Sequence, residues 1–376
     1  MSKLIFLGGE DVSARIEISK KFITLGYEIE IIGSQNGEVF SKNNIAYRKY
    51  SLHRELNILN DIKTIFELRA ILREQERGTI VHAFDTKPTM YLPIAGFGLK
   101  NIYIVRTITG MGRIFTDKNF RNSILKFIYN LIQKFVSIRV DKTIFQNYDD
   151  YNYYMEKELL KPKNAVVIRS SGIDLSKFVT RVSDENLTTL KEELKLSTNK
   201  KTIILVSRIV KQKGILNYLE AAKKCFENGY KYNFLLVGQL DSDNSVTIDE
   251  INEYKQYVKY LGRREDIKAL LALSDIFVLP TYYKEGVPRV LLEASALGLP
   301  LITTDMPGCK DVVENEYNGK LVKIKDSNDL YEKIISLAED QELMNEFSIN
   351  AKEKVKSFDL DIIVASYDKV YKDTGE

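Results

Sequence analysis

Cysteine and histidine are nearly absent from this 376-residue chain, with two of each. Cys225 and Cys309 stand far apart with no metal-ligand spacing, which excludes a disulfide framework and points to a reducing compartment. His53 and His82 are too few for a multi-histidine metal centre. No run of about 18 apolar residues occurs, so no membrane-spanning helix is expected. An excess of one charge is missing too. The 55 Lys and Arg nearly balance 52 Asp and Glu, and the net +3 gives no ground for nucleic-acid binding. The opening residues 1–9 read as a first strand, too short for a signal peptide, so a cytoplasmic location is the default expectation. Internal repeats and low-complexity segments are lacking.

What remains is the composition of a globular protein, 44% hydrophobic and 28% charged, in a chain long enough for two domains. Short apolar strands alternate with helical patterns. Leu4 to Leu7, a Gly8-Gly9 turn, a helix from about Val12 to Leu25 and a strand from Glu28 to Ile32 open a doubly wound α/β sheet. Gly8-Gly9 lacks the further glycine of a dinucleotide fingerprint, so a plain tight turn and a ligand contact both fit it. A long amphipathic helix is expected over 55–77. The strand from Thr79 to Phe84 ends in polar residues at a carboxyl end, where open sheets bind ligands. After the strand from Ile102 to Val105, residues 106–116 form a loop with two glycines, a surface segment of the functional kind. In the helix 120–136, Phe120, Ile124, Ile128, Leu131, Ile132 and Phe135 share one face. Lys118, Arg121, Lys126, Lys134 and Arg139 add positive charge. That pattern suits a core-packing helix with solvated lysines, or one lying on an anionic membrane surface.

The chain is organised around residues 281–300. A buried strand, Ile276 to Leu279, runs into a polar loop, and a helix opens at about Pro288, where proline suits a first turn. The loop presents unpaired N–H groups of a helix N-terminus to anionic or strongly polar ligand atoms. Glu285 precedes the helix and Glu293 lies eight positions later, its side chain leaning back toward the same mouth. An ordinary αβ unit with two unrelated glutamates fits the spacing as well. A second strand-to-helix turn follows Lys201 to Val206 and carries Arg208 and Lys213. Two cations at such a turn make a phosphate cradle, each charge-assisted contact contributing about 1.5–3 kcal/mol. Asp241-Ser242-Asp243 mimics a metal-binding Asp-x-Asp, but it reads as a polar turn.

The Glu285–Glu293 spacing, its flanks (Asp275 to Pro280 and Pro300 to Asp305), the Ser-Arg-x-x-x-x-Lys-Gly run at 207–214 and the Ser-Gly-Ile-Asp turn at 171–174 resemble retaining glycosyltransferases of family 4. The Thr-Gly-Met-Gly loop at 109–112, Lys87 and the basic helix resemble the bacterial branch that extends polyprenyl-diphosphate-linked sugars. The resemblance implies a GT-B fold, with two doubly wound Rossmann-like domains facing a cleft. Residues 1–172 would bind the acceptor, with a last helix, 358–376, crossing back to them, and 173–357 would bind a nucleotide sugar. Arg208 and Lys213 would hold the donor diphosphate and, with Glu285, carry catalysis. Glu293 would accept from the ribose, Glu285 and the backbone of Gly286, Val287, Pro288 and Arg289 would hold the donor sugar, Arg263 would stack on the base, and the Gly9 loop would close over the pyrophosphate. His82, Lys87, Thr109, Gly110, Met111 and Gly112 would face the acceptor, but Phe84 stands where the family often has a second histidine, and His82 fits a packed structural histidine equally well. No metal and no cofactor is implied, and a donor phosphate oxygen takes the acceptor proton, so no enzymic base is nominated. The implied partners are a UDP-sugar, such as UDP-N-acetylgalactosamine, and a polyprenyl-diphosphate-linked saccharide of an N-glycan, capsule or O-antigen. Peripheral contact with the inner face of the plasma membrane would follow from such an acceptor. Two rival classes are a UDP-sugar 2-epimerase, which would want more acid–base side chains, and a non-catalytic partner subunit.

Overall fold

The computed structural model describes the chain apart from residues 1, 10, 54–56, 113, 114, 116–119, 198, 242–244, 285 and 376 and the side chain at 121. It divides into two compact units, residues 1–172 with 360–376, and residues 173–359.

In the first unit, β1 (Lys3–Leu7), β2 (Glu28–Gly33), β3 (Ala46–Lys49), β4 (Thr79–Ala83), β5 (Ile102–Ile108), β6 (Lys142–Phe145) and β7 (Ala165–Val167) form a parallel sheet in the order β3-β2-β1-β4-β5-β6-β7. Both faces are covered, so the central strands β1, β4 and β5 are buried along nearly their whole length, while the edge strand β3, Ala-Tyr-Arg-Lys, is not. Leu4 and Phe6 point into one core with the helix Leu360–Gly375, while Ile5 and Leu7 point into the other with Leu68, Leu72 and Leu92. The order reverses between β1 and β4, and open sheets bind ligands beyond the carboxyl ends of the strands at such a reversal.

The second unit repeats the plan with β8 (Thr202–Val206), β9 (Asn233–Val237), β10 (Val258–Tyr260), β11 (Ile276–Leu279), β12 (Leu301–Thr304) and β13 (Gly319–Val322), in the order β10-β9-β8-β11-β12-β13. Here the reversal falls between β8 and β11, which pair in parallel through Ile276–Ile203 and Phe277–Ile204. The two turns singled out in the sequence therefore leave neighbouring strands at the same end of one sheet.

Several expectations are revised. The first helix opens as a 3-10 turn, Val12–Arg15, before the α-helix Ile16–Thr24. The described helix within 55–77 is Ile58–Arg73, capped by the Asn57 side chain accepting from the Asn60 N–H. Pro288 is the N-cap of the helix Arg289–Leu297 rather than part of its first turn. The helix Thr86–Ala95, which holds Pro88 and Pro93, escapes the sequence reading because proline normally marks a helix boundary. The helix Phe120–Val136 does not bury its apolar stripe: Phe120, Ile124, Ile128, Leu131, Ile132 and Phe135 are all exposed, so the core-packing reading fails for that face. Arg139 is not one of its surface charges. Its guanidinium is half-buried and donates to the carbonyls of Gly96, Leu99 and Ile102. Lys118 and the Arg121 side chain lie outside the described residues.

Candidate functional site

The second unit's site grows from the β8–β11 pairing. Past β8 the chain makes a 3-10 turn, Lys211–Lys213, and enters the helix Ile215–Glu227 through Gly214 at φ 75°. This residue must be glycine, because a Cβ there would sit 2.1 Å from the Pro280 carbonyl oxygen. The turn is stitched to the segment after β11. Gln212 O accepts from the Tyr282 N–H at 2.8 Å and from Thr281 Oγ1 at 3.1 Å. Thr303 Oγ1 donates to Leu279 O at 2.7 Å, and Thr304 Oγ1 donates to Thr281 O, so the segment is anchored from its other side too. Lys213 is buried, its ammonium 6.0 Å from the centroid of the Tyr283 ring. Arg208 is half-exposed and donates from Nη1 to Asp241 Oδ2 at 2.8 Å. The two cations and the 280–284 segment thus share one rim of one sheet. Asp243 and Glu285 lie outside the described residues.

Glu293 stands one helical turn into Arg289–Leu297 and accepts from Arg289 Nε at 3.1 Å. Burial holds its carboxyl above the usual range, and the Arg289 charge and hydrogen bond offset part of that rise. A desolvated carboxylate at the mouth of a helix is a strong acceptor for hydroxyl groups. Gly286, Val287, Pro288 and Arg289 present the backbone of that mouth. Arg263 is exposed on the loop after β10 and pairs with Glu265 at 3.0 Å. That loop joins the same rim, since the Gly238 N–H donates to Gly262 O at 2.8 Å.

The first unit's candidate residues gather beyond β1, β4 and β5. Asp85, one of the polar residues at this strand end, adopts φ 67° directly after β4 and takes the Gly9 N–H at 2.9 Å on its Oδ2. A non-glycine residue held at positive φ at a sheet's reversal point marks a site where the surrounding structure sustains strain. A small cavity of about 20 Å³, room for one water, is lined by Asp85, Thr107, Thr109, Gly110, Met111 and Gln133 among others. Gly110, in its wall, takes φ 123°, and Gly112 just beyond takes φ 69°, backbone conformations that explain the two glycines. Beneath it Arg106 is fully buried and donates to Thr143, Gln133 and Ser137, fixing the root of this loop.

His82 is corrected. Its ring is fully buried, with Nδ1 2.6 Å from the Tyr371 hydroxyl and Nε2 2.7 Å from Thr107 Oγ1. Burial, aided by Arg15, pushes it well below the usual histidine range, so it stays neutral and packs rather than touching an acceptor. Phe84 is buried as well, its ring 4.1 Å beneath the Arg15 guanidinium carbon. Lys87 is mostly buried, paired with Asp61 at 2.9 Å and donating to His53 O at 2.8 Å. Its charge is met within its own unit.

With this geometry in view, known proteins bear on it directly. Residues 187–354 match the family described as glycosyl transferases group 1. The chain is 33% identical, over 84% of its length and 82% of the relative's, to the N,N'-diacetylbacillosaminyl-diphospho-undecaprenol alpha-1,3-N-acetylgalactosaminyltransferase of Campylobacter jejuni. It is 28% identical, over 88% and 84%, to the UDP-Gal:alpha-D-GlcNAc-diphosphoundecaprenol alpha-1,3-galactosyltransferase of Escherichia coli. Among solved structures, Anabaena Alr3699/HepE in complex with UDP superimposes with a TM-score of 0.81 at 18% identity, covering 99% of this chain and 100% of that one. Sucrose-phosphate synthase of Thermosynechococcus elongatus gives 0.79 at 18%, covering 99% of each. The fold is GT-B, and by its sequence relatives as well as its two parallel-sheet units the chain belongs to the group 1 glycosyl transferases.

Proposed function

We propose that this glycosyltransferase moves a sugar from a UDP-sugar, with N-acetylgalactosamine the first donor to test, to a saccharide carried on polyprenyl diphosphate, with retention at the anomeric carbon. One observation carries the reading: the Arg208–Lys213 turn is hydrogen-bonded to the segment that leads into Glu293, so cationic and carboxylate groups occupy a common rim. The acceptor class comes from the two relatives named above, which act on undecaprenol-diphosphate-linked sugars.

In the mechanism, Arg208 and Lys213 neutralise the charge that develops on the leaving diphosphate, the preorganised electrostatic contribution that dominates many group transfers. Tight pairing to the 280–283 segment keeps them in place before the donor arrives. Glu293 accepts from the ribose hydroxyls, and Glu285 with the backbone of 286–289 holds the sugar. No metal is required, because the two cations do its work, and a donor phosphate oxygen receives the acceptor proton.

The acceptor's lipid keeps the reaction at a membrane. Helix Phe120–Val136 contains no acidic residue and exposes Phe127, Leu131 and Phe135 beside Lys126 and Lys134. Phe97 stacks on Phe135 and extends the apolar face. Such a surface partitions into the headgroup region of an anionic bilayer. The test is UDP release from a panel of UDP-sugars with polyprenyl-diphosphate-linked mono- and disaccharides, followed by product anomer assignment by NMR. Acceptor-dependent release with an axial product is expected for an axial donor. UDP-sugar turnover without acceptor would instead reveal an epimerase, and absence of UDP binding a non-catalytic subunit.

A further inference from the structure

The Asp-x-Asp segment after β9 has no part in the mechanism above, yet its first carboxylate holds the central arginine. The β8–β9 ladder continues past both strand ends: Ser207 N–H donates to Val237 O at 3.0 Å, Ile209 N–H donates to Gln239 O at 2.9 Å, and Ile209 and Leu240 form a parallel bridge. That extension places Asp241 beside Arg208 by backbone geometry. The close approach also demands glycine at 238, where a Cβ would lie 1.7 Å from Ser207 O. The ion pair is lopsided, with the Asp241 side chain 8% exposed and Arg208 54%. Stability does not account for it, since a half-exposed pair contributes little. A guanidinium is a planar fork of five donors. Anchored at Nη1, it keeps its Nε–Nη2 edge for another anion, and among the described residues Asp241 is its only hydrogen-bond partner.

We propose that Asp241 is a positioning residue for donor binding: its carboxylate orients Arg208 so that the open edge of the guanidinium meets the donor diphosphate. The inference rests on the reading that Arg208 holds that diphosphate. UDP is the probe, titrated calorimetrically into the full chain as parent, Arg208→Gln, Asp241→Asn and the double variant, with thermal melts to verify folding. Asp241→Asn is expected to weaken UDP about tenfold and to raise the donor KM while leaving kcat within about threefold, yet to have no further effect in the Arg208→Gln background. Asp241→Glu, which retains the charge, should recover most of the affinity, and Asp241→Ser is the second charge-free variant if Asn fails to fold. If Arg208→Gln weakens UDP but Asp241→Asn does not, or if the two losses add, Asp241 has no positioning role. If Arg208→Gln leaves UDP binding intact, the diphosphate assignment itself falls, and this inference with it.

Discussion

Gly214→Ala tests whether the two halves of the donor site are held as one piece. Gly214 lies at φ 75°, and its Cβ would meet the Pro280 carbonyl oxygen at 2.1 Å, where real Cβ contacts do not fall below 3.0 Å. The left-handed conformation costs a non-glycine residue about 1–2 kcal/mol. Forcing backbone apart by about 1 Å in a packed seam adds about 1–3 kcal/mol. Gly229 supplies the control within the same unit. It lies at φ 88° with nothing within 4 Å of its Cβ position, so Gly229→Ala carries the conformational cost alone. At roughly 2–4 °C per kcal/mol for a unit of this size, Gly214→Ala should melt about 4–20 °C below the parent and Gly229→Ala only about 2–8 °C below. The displaced turn carries Lys213, so UDP binding should weaken about tenfold or more in Gly214→Ala and stay unchanged in Gly229→Ala. Scanning calorimetry and UDP titration read both effects. If Gly214→Ala melts with Gly229→Ala and binds UDP like the parent, the seam does not hold the site.

Glu293→Gln separates stability from binding. A carboxyl raised in the fold adds stability below its unfolded value and loses it as pH rises through the folded one, so at pH 7 the charged form is a liability. The variant should melt at or above the parent at neutral pH, converge with it near about pH 4, and bind UDP about tenfold more weakly. A lower melting point at neutral pH would contradict the burial argument. His82→Phe leaves the Tyr371 and Thr107 hydroxyls without their ring partner, and each buried orphan costs about 1–3 kcal/mol. It should lower the melting point while the donor KM holds steady; an unchanged melt with collapsed kcat would return His82 to the chemistry. Phe127→Asp with Phe135→Asp should reduce co-sedimentation with anionic vesicles at least about tenfold, since each exposed ring contributes up to about 1.5–3 kcal/mol on burial. Equal co-sedimentation of variant and parent would remove this face from the membrane reading.

The second unit was the more legible of the two because its signals are local. Buried strands such as Thr202–Val206 and Ile276–Leu279 are unbroken apolar runs, and Arg208, Lys213 and Glu293 sit at fixed offsets from them. Asp241 was visible only as half of a misleading motif, since its partner Arg208 is 33 positions away and joined through a strand pairing. The first unit reads less directly. His82 looked like a ligand at a strand end, but the hydroxyl that closes over it comes from Tyr371, 289 positions later. Asp85 showed in the sequence only as one polar residue at a strand end, because its positive φ is a property of the assembled turn. For Phe120–Val136 the spacing revealed the stripe correctly but not whether anything would cover it.

The helix Leu360–Gly375 also has a consequence for biosynthesis. Tyr367 and Tyr371 complete the core around Phe22 and Phe84, so the unit translated first lacks its closing wall until residues 360–375 leave the ribosome. At about 5–20 residues per second, the intervening segment delays that closure by on the order of ten to forty seconds. Throughout this interval the nascent amino-terminal half displays an uncovered aromatic surface, an obvious point of capture for a holdase chaperone.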